Sequence, residues 1–414
     1  MYYLLFFLYL ALFCVCINVI GFFKNAGLDR RTILILFLVK VAAGLFMGWV
    51  VLTYLAGGDY SAANIYGREE YELLQNDPYK FFTDLFDARY TQGYGGLFDS
   101  AQSFWHDLAG NCLYKLIGLF NIFSRGNFYI NTLFLNFIGF FGHVALFRVF
   151  NEVYQNRKWA LIIGCFLIPS TLYFSSGLHK DNLVFTSVCL FSFALFFLSN
   201  RSFSVKKLLL LLIAAAVIFL IRNFVLLAMI PAALAMWIAC KTGRPWKSFL
   251  VVYALGILSL IVAVQFLPSH NPLHIITRKQ QDFAQLSVAR TQVSMDTLQP
   301  TLRSFVKNIP AAIEHSILRP FIWEKSVPFI FIPGIEILFY LILIITALII
   351  QRRHLGQVSP FVLYGIFFSM TIFMFIGLVV PNMGSIIRYR SLYFPFLLTP
   401  AIVTVFYHIN KNKI

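Results

Sequence analysis

Five short stretches carry side chains whose types and spacing could do chemistry. Gly57-Gly58-Asp59-Tyr60 sets a carboxylate just after a sharp turn. Such a group can take a proton from a nucleophile or bind a divalent cation, or it can simply cap a helix. His179-Lys180-Asp181 offers a point charge for a phosphate in Lys180 and an acid that either orients it or caps the next helix. Arg222-Asn223 interrupts an apolar run, where arginine is usually paired or on a substrate path, or reaches headgroups from the interface. Arg319-Pro320 and Trp323-Glu324 combine a cation, an indole and an acid, as a ligand contact or an aromatic-belt anchor would. Arg388-Tyr389-Arg390 holds two guanidinium forks, the geometry that suits bidentate binding of phosphate or pyrophosphate.

The elements that must position these residues are apolar. The chain has 414 residues, of which 59% are hydrophobic and 12% charged, a balance that excludes an ordinary soluble domain. Runs long enough to cross a bilayer core of about 30 Å are expected at 2–22, 33–55, 128–147, 159–175, 183–198, 208–221, 224–240, 249–267, 333–350, 359–379 and 391–407. The expected fold is therefore all-α: a polytopic transmembrane bundle of about 11 spans forming a single integral membrane domain over 1–414. Lys40 is the one cation well inside a span, to snorkel or to pair within the bundle. The first span lacks the basic start and small-residue cleavage site of a signal peptide, so it is expected to be retained.

Charge sets the orientation. The short loops at 24–32, 148–158, 199–207, 241–248 and 351–358, with the C-terminal tail, hold 16 of the 33 Lys and Arg residues and only two acids, Asp29 and Glu152. The positive-inside rule places them in the cytoplasm of a cell whose plasma (inner) membrane the chain crosses, with the N-terminus outside and the C-terminus inside. The pI of 9.6 is thus a loop property and calls for no nucleic acid, since no single basic patch forms. Two long segments, 56–127 and 268–332, lie outside and carry amphipathic stretches expected to form helices at the membrane surface. All five candidate stretches then fall on the outer face, around an anionic, membrane-embedded ligand. The six cysteines show no metal spacing and suit buried apolar positions. No phosphate-binding glycine loop, dinucleotide fingerprint or zinc or serine hydrolase motif occurs.

Three segments carry a resemblance. GGDYSAANIY is similar to the GD-x-x-x-Y signature that opens the first large outer loop of the GT-C superfamily of polytopic glycosyltransferases. IPSTLYFSSGLHKDNLVFTSVCLFSFALFF resembles their segment with a proline, a short outer turn and an acid before the next span. NMGSIIRYRSLYFPFLL resembles their late arginine–tyrosine segment. The resemblance, to enzymes of the dolichyl-phosphate-mannose mannosyltransferase kind, implies an outer-face transfer of sugar from a polyprenyl-phosphate donor to a glycan, lipid or protein acceptor of the cell envelope. It implies Asp59 as acceptor base or metal-associated carboxylate, and Arg222, Arg388 and Arg390, with Lys180, at the donor phosphate. Tyr60, His179, Asp181, Asn223, Arg319 and Glu324 would support them. The one cofactor the resemblance leaves open is a divalent cation.

A whole span precedes the Asp59 loop, and Asp59-Tyr60 stands where the family often has an acidic pair. Those departures suit a Wzy-like O-antigen or exopolysaccharide polymerase, which would use a pyrophosphate-linked donor. A transporter or flippase is the non-enzyme alternative, though neither an internal repeat nor a midplane chain of charges beyond Lys40 is visible.

Overall fold

The computed structural model describes residues 1–54, 59–86, 104–201, 203–267, 271–285, 291–324, 328–352, 356 and 358–411. The described elements are helical: α1 Tyr2–Val19, α2 Arg30–Tyr54, α3 Asp59–Asn76, α4 Phe104–Ser124, α5 Phe128–Val153, α6 Lys158–Phe166, α7 Pro169–Phe174, α8 Lys180–Asn200, α9 Val205–Thr242, α10 Pro245–Phe266, α11 Leu273–Gln285, α12 Leu302–Ile313, α13 Pro328–Gln351, α14 Pro360–Val379, α15 Met383–Ser391 and α16 Phe394–Lys411. Local chemistry sets many boundaries. Proline occupies the first turn of α7, α10 and α14, where its missing N–H costs nothing. Asn127 and Asn382 accept backbone N–H bonds as N-caps of α5 and α15.

Among the described residues, eight helices are long and apolar enough to cross a bilayer. They become nine if α15 and α16, bent by 62°, cross as one. The chain is a polytopic helical membrane protein. The differences from eleven expected spans lie at three places. The stretch 159–175 is broken into α6 and α7 at Leu167-Ile168, because Pro169 cannot continue the helical ladder. The last span, expected at 391–407, begins at Phe394 and is preceded by the short α15, set at 62° to it. α9 counts once among the eight but holds both helices expected at 208–221 and 224–240, which meet at the non-helical Arg222 (φ −148°, ψ 79°).

That interruption turns the chain back. Before it, α9 runs antiparallel to α8: Lys207 lies over the Phe197 ring, and Arg222 reaches Asp181. After it, Phe224 stacks on Phe375 of α14, 4.7 Å between centroids. The next helix then brings Phe249 against Phe367, two turns nearer the start of α14. The chain therefore returns toward the end of the bundle from which it came.

α5 and α8 form the centre, with 78% and 72% of their most apolar stretches buried, against 6% for α1 and for α10 at the rim. The central pair packs closely because α5 offers glycine. A Cβ on Gly139 would stand 2.0 Å from Asn182 Oδ1, and one on Gly142 would stand 2.7 Å from Thr186 Cα. In the first long loop the amphipathic α4 packs along α3. Lys115 reaches Glu70 at 2.9 Å and Asp84 at 2.5 Å.

Three of the basic loops, 24–32, 148–158 and 199–207, gather with the end of α16 at one end of the bundle. Lys158 pairs with Asp29 and Arg201 with Glu152, Arg157 lies over Tyr407, and Arg148 lies between Phe22 and Phe193. The candidate chemistry sits at the other end, a helix length away along α8.

Candidate functional site

Asp181 is the hub. It lies in the first turn of α8 and is fully buried. Arg222, at the break in α9, pairs with its Oδ1. Arg388, from α15, donates through Nε to its Oδ2 at 2.6 Å. A carboxylate can be buried here only because charged partners and hydrogen bonds replace water. The break at Arg222 has the same cause: leaving helical geometry at one residue lets the guanidinium turn inward toward α8 instead of outward to lipid.

His179 completes the group. Arg388 Nη2 lies 3.1 Å from His179 Nε2. Arginine only donates, so Nε2 accepts and carries no proton. The proton of the neutral ring is then on Nδ1, which faces Asp181 Oδ2 at 3.0 Å. The approach of the Asp181 N–H to the same Nδ1, at 3.2 Å, is on this tautomer a contact and not a hydrogen bond. Arg222 also lies 4.1 Å over the Tyr389 ring, and Arg388 5.3 Å from it.

Two donors in this group are left over. Arg222 Nη1 and the Tyr393 hydroxyl are buried, lie beside each other, and have no hydrogen-bond partner but each other. Buried donors without partners are rare and costly. Both can donate to an anion.

Arg390 is not part of this group. Residues two apart on a helix point about 200° apart, so Arg390 leaves α15 on the face opposite Arg388. It is buried, and its Nη1 donates to the carbonyls of Ser316 at 2.8 Å and Arg319 at 2.5 Å. Arg319 Nε in turn meets Glu324 Oε1 at 2.6 Å, with Trp323 exposed and stacked on Phe321. Arg390, Arg319 and Glu324 therefore tie the end of the second long loop to α15. Asn223 follows Arg222 directly in α9, and Lys180 stands between His179 and Asp181 at the start of α8. Asp59 and Tyr60 open α3, but Gly57, Gly58 and the side chains of Asp59 and Tyr60 lie outside the described residues. Among the described residues, no group of three His, Cys, Asp or Glu side chains could hold a metal ion.

The sequence reading missed one feature and left the setting of another open. Glu336 sits within the apolar α13 and accepts from the Ser170 N–H at 2.8 Å and from the Tyr340 hydroxyl. It satisfies a backbone donor freed where Pro169 starts α7. An acid inside so apolar a run was itself a signal. The other is the setting of Lys40, which neither snorkels nor meets an acid. Its Nζ donates to the Ser175 carbonyl at 2.6 Å and lies 3.3 Å from His143 Nε2. His143 Nδ1 faces the Cys165 carbonyl at 2.7 Å and so carries the ring proton, leaving Nε2 as an acceptor. Lys40 thereby anchors the buried turn Ser175–His179 that leads into the Asp181 hub.

Compared with known proteins, the chain matches no family model, no curated protein and no solved structure.

Proposed function

We propose that the protein is an outer-face membrane glycosyltransferase that moves a sugar from a polyprenyl-phosphate-linked donor to a cell-envelope acceptor. The donor phosphate would bind at Arg222, Arg388 and Tyr393. The observation that carries this reading is the pair of buried donors, Arg222 Nη1 and the Tyr393 hydroxyl, that have no partner but each other, beside guanidinium groups already oriented by Asp181. Both oxygens of Asp181 are engaged, so it is assigned to orienting the arginines and not to proton transfer. Asp59 takes the proton of the acceptor hydroxyl. The hydroxyl oxygen bonds to the anomeric carbon, the bond from that carbon to the phosphate oxygen breaks, and the arginines stabilise the charge gathering on the departing phosphate. The grouping of those three basic loops at the opposite end supports an orientation with that end in the cytoplasm, the N-terminus outside and the arginine end on the outer face.

The same arginines could hold the pyrophosphate of a Wzy-like polymerase donor. Turnover by the purified protein in liposomes separates the two, with monophosphate-linked and diphosphate-linked sugar lipids supplied in parallel. Turnover of the monophosphate lipid, abolished by Asp59→Asn, supports the transferase. Turnover of the diphosphate lipid alone assigns a polymerase. No turnover of either, by protein whose folding is verified, refutes both.

A further inference from the structure

The second long loop builds a cleft that the phosphate site does not use. Two adjoining cavities of about 190 and about 450 Å³ share Gln280, Ser294, Met295 and Asp296 as lining. The walls of the cleft are α11, the segment 291–299 and α12, and its floor is the end of α14 at Gly377 and Leu378. Gln280 is the strut. Its amide donates to the carbonyls of Asp296 and Leu378 at 3.1 and 3.0 Å and accepts from the Leu298 N–H at 2.8 Å. The walls are thereby fixed to the bundle.

Among the described residues the lining is polar but nearly neutral. Gln281, Ser294, Thr297 and Asn308 offer amides and hydroxyls, with Met295 and Ala311 as apolar surface between them. Among the described residues of the lining the single carboxylate, Asp296, is paired with Lys307 at 3.1 Å. His315, buried at the inner end, has an Nδ1 with no hydrogen-bond partner. Burial first, and then the nearby Arg319, hold its imidazole below the ordinary histidine value, so the ring is neutral. Hydroxyl donors and acceptors alternating with C–H surface match this lining, whereas a phosphate or an acyl chain would leave it unsatisfied.

The cleft is tied to the phosphate site. Val293 donates to the Pro381 carbonyl at 2.7 Å, Met383 donates to the Thr291 carbonyl at 2.9 Å, and the Thr291 hydroxyl bonds Asn382 at 2.7 Å. Asn382 caps α15. Six residues further on is Arg388, about 9 Å along the helix axis.

We infer that this cleft is a sugar-binding subsite, holding a neutral polyhydroxylated unit of the glycan while the linked phosphate lies at Arg222 and Arg388. The inference rests on the phosphate reading of that site. It makes Gln281, Asn308 and His315 specificity-determining residues, and it predicts a preference for uncharged over acidic sugars.

The test is photocrosslinking of the full-length protein in its own membranes. p-Benzoylphenylalanine replaces Gln281 in the cleft, Val306 on the exposed part of α12, or Tyr389 at the arginines, and adducts are identified by mass spectrometry. The expected result is a sugar-bearing adduct at position 281, none at 306, and at least a tenfold loss at 281 when Ser294→Trp fills the cleft. Ser294 is exposed, so that change leaves the fold intact. No sugar at 281, or equal yields at 281 and 306, overturns the subsite. A polyprenyl phosphate adduct at 389 beside that failure leaves the phosphate reading standing. Absence of the adduct at 389 refutes the phosphate reading, whatever 281 shows.

Discussion

Replacing Asp181 with Asn keeps the shape of the hub and removes its charge. Arg222, whose side chain is 7% exposed, and Arg388, at 14%, then face an amide in place of a carboxylate that is itself fully buried. Removing one partner of a buried ion pair typically costs about 3–5 kcal/mol, because the remaining charge is stranded away from water. We expect Asp181→Asn to fall in that range, and Arg222→Gln toward its lower end, since Asp181 keeps Arg388. The double variant strands only Arg388. It should therefore be less destabilised than the sum of the two singles by about 1.5–3 kcal/mol, the size of a charge-assisted hydrogen bond. Reversible unfolding of the purified protein in mixed micelles, with the four members of the cycle compared, measures this coupling. Additivity within about 0.5 kcal/mol would show that Asp181 and Arg222 do not depend on each other and would remove the hub from the account.

The remaining predictions concern the two arginines, the intramembrane acid and the orientation. Arg388→Lys should abolish product formation at normal protein levels, because lysine keeps the charge and loses the planar fork. Arg390→Lys should retain activity per folded molecule, because one ammonium can still donate to the Ser316 and Arg319 carbonyls; the reverse pattern would exchange their roles. Glu336→Leu should cost about 1–3 kcal/mol by stranding the Ser170 N–H, whereas Glu336→Gln should cost less in the same unfolding assay; equal losses would refute the capping role. An impermeant thiol reagent applied to intact cells should label Lys307→Cys and leave Arg201→Cys untouched, both positions being exposed. The opposite pattern would invert the topology and place the arginine site in the cytoplasm.

Much of this arrangement was legible in the chain, and what was not has physical causes. The apolar runs marked the helices, because a bilayer-length segment announces itself by composition alone. Arg222 marked the turn, since a lone arginine in such a run needs a reason to be there. His179-Lys180-Asp181 marked a helix start, but not its importance. Asp181 meets Arg222 and Arg388 from 41 and 207 residues away, and no local pattern encodes such contacts. Arg388 and Arg390 looked like one clamp because they are close in sequence. Only the helical form of α15 separates them onto opposite faces. Lys40 was visible as an oddity, yet its neutral partners Ser175 and His143 look like ordinary residues of other helices. Glu336 lies in a run whose length and composition already mark a span, and nothing local says that its partner is the Ser170 N–H 166 residues away.

The central claim is that Arg222, Arg388 and Tyr393 receive a lipid-linked phosphate. The most direct measurement compares binding of undecaprenyl phosphate with that of the uncharged alcohol undecaprenol, using purified protein in lipid nanodiscs and both wild type and Arg222→Gln. The account predicts that wild type prefers the phosphate and that Arg222→Gln weakens phosphate binding by roughly 10- to 150-fold, the loss of one charge-assisted contact of about 1.5–3 kcal/mol, with alcohol binding unchanged. Equal affinity for the two lipids in wild type, or a phosphate preference that survives Arg222→Gln, would contradict it.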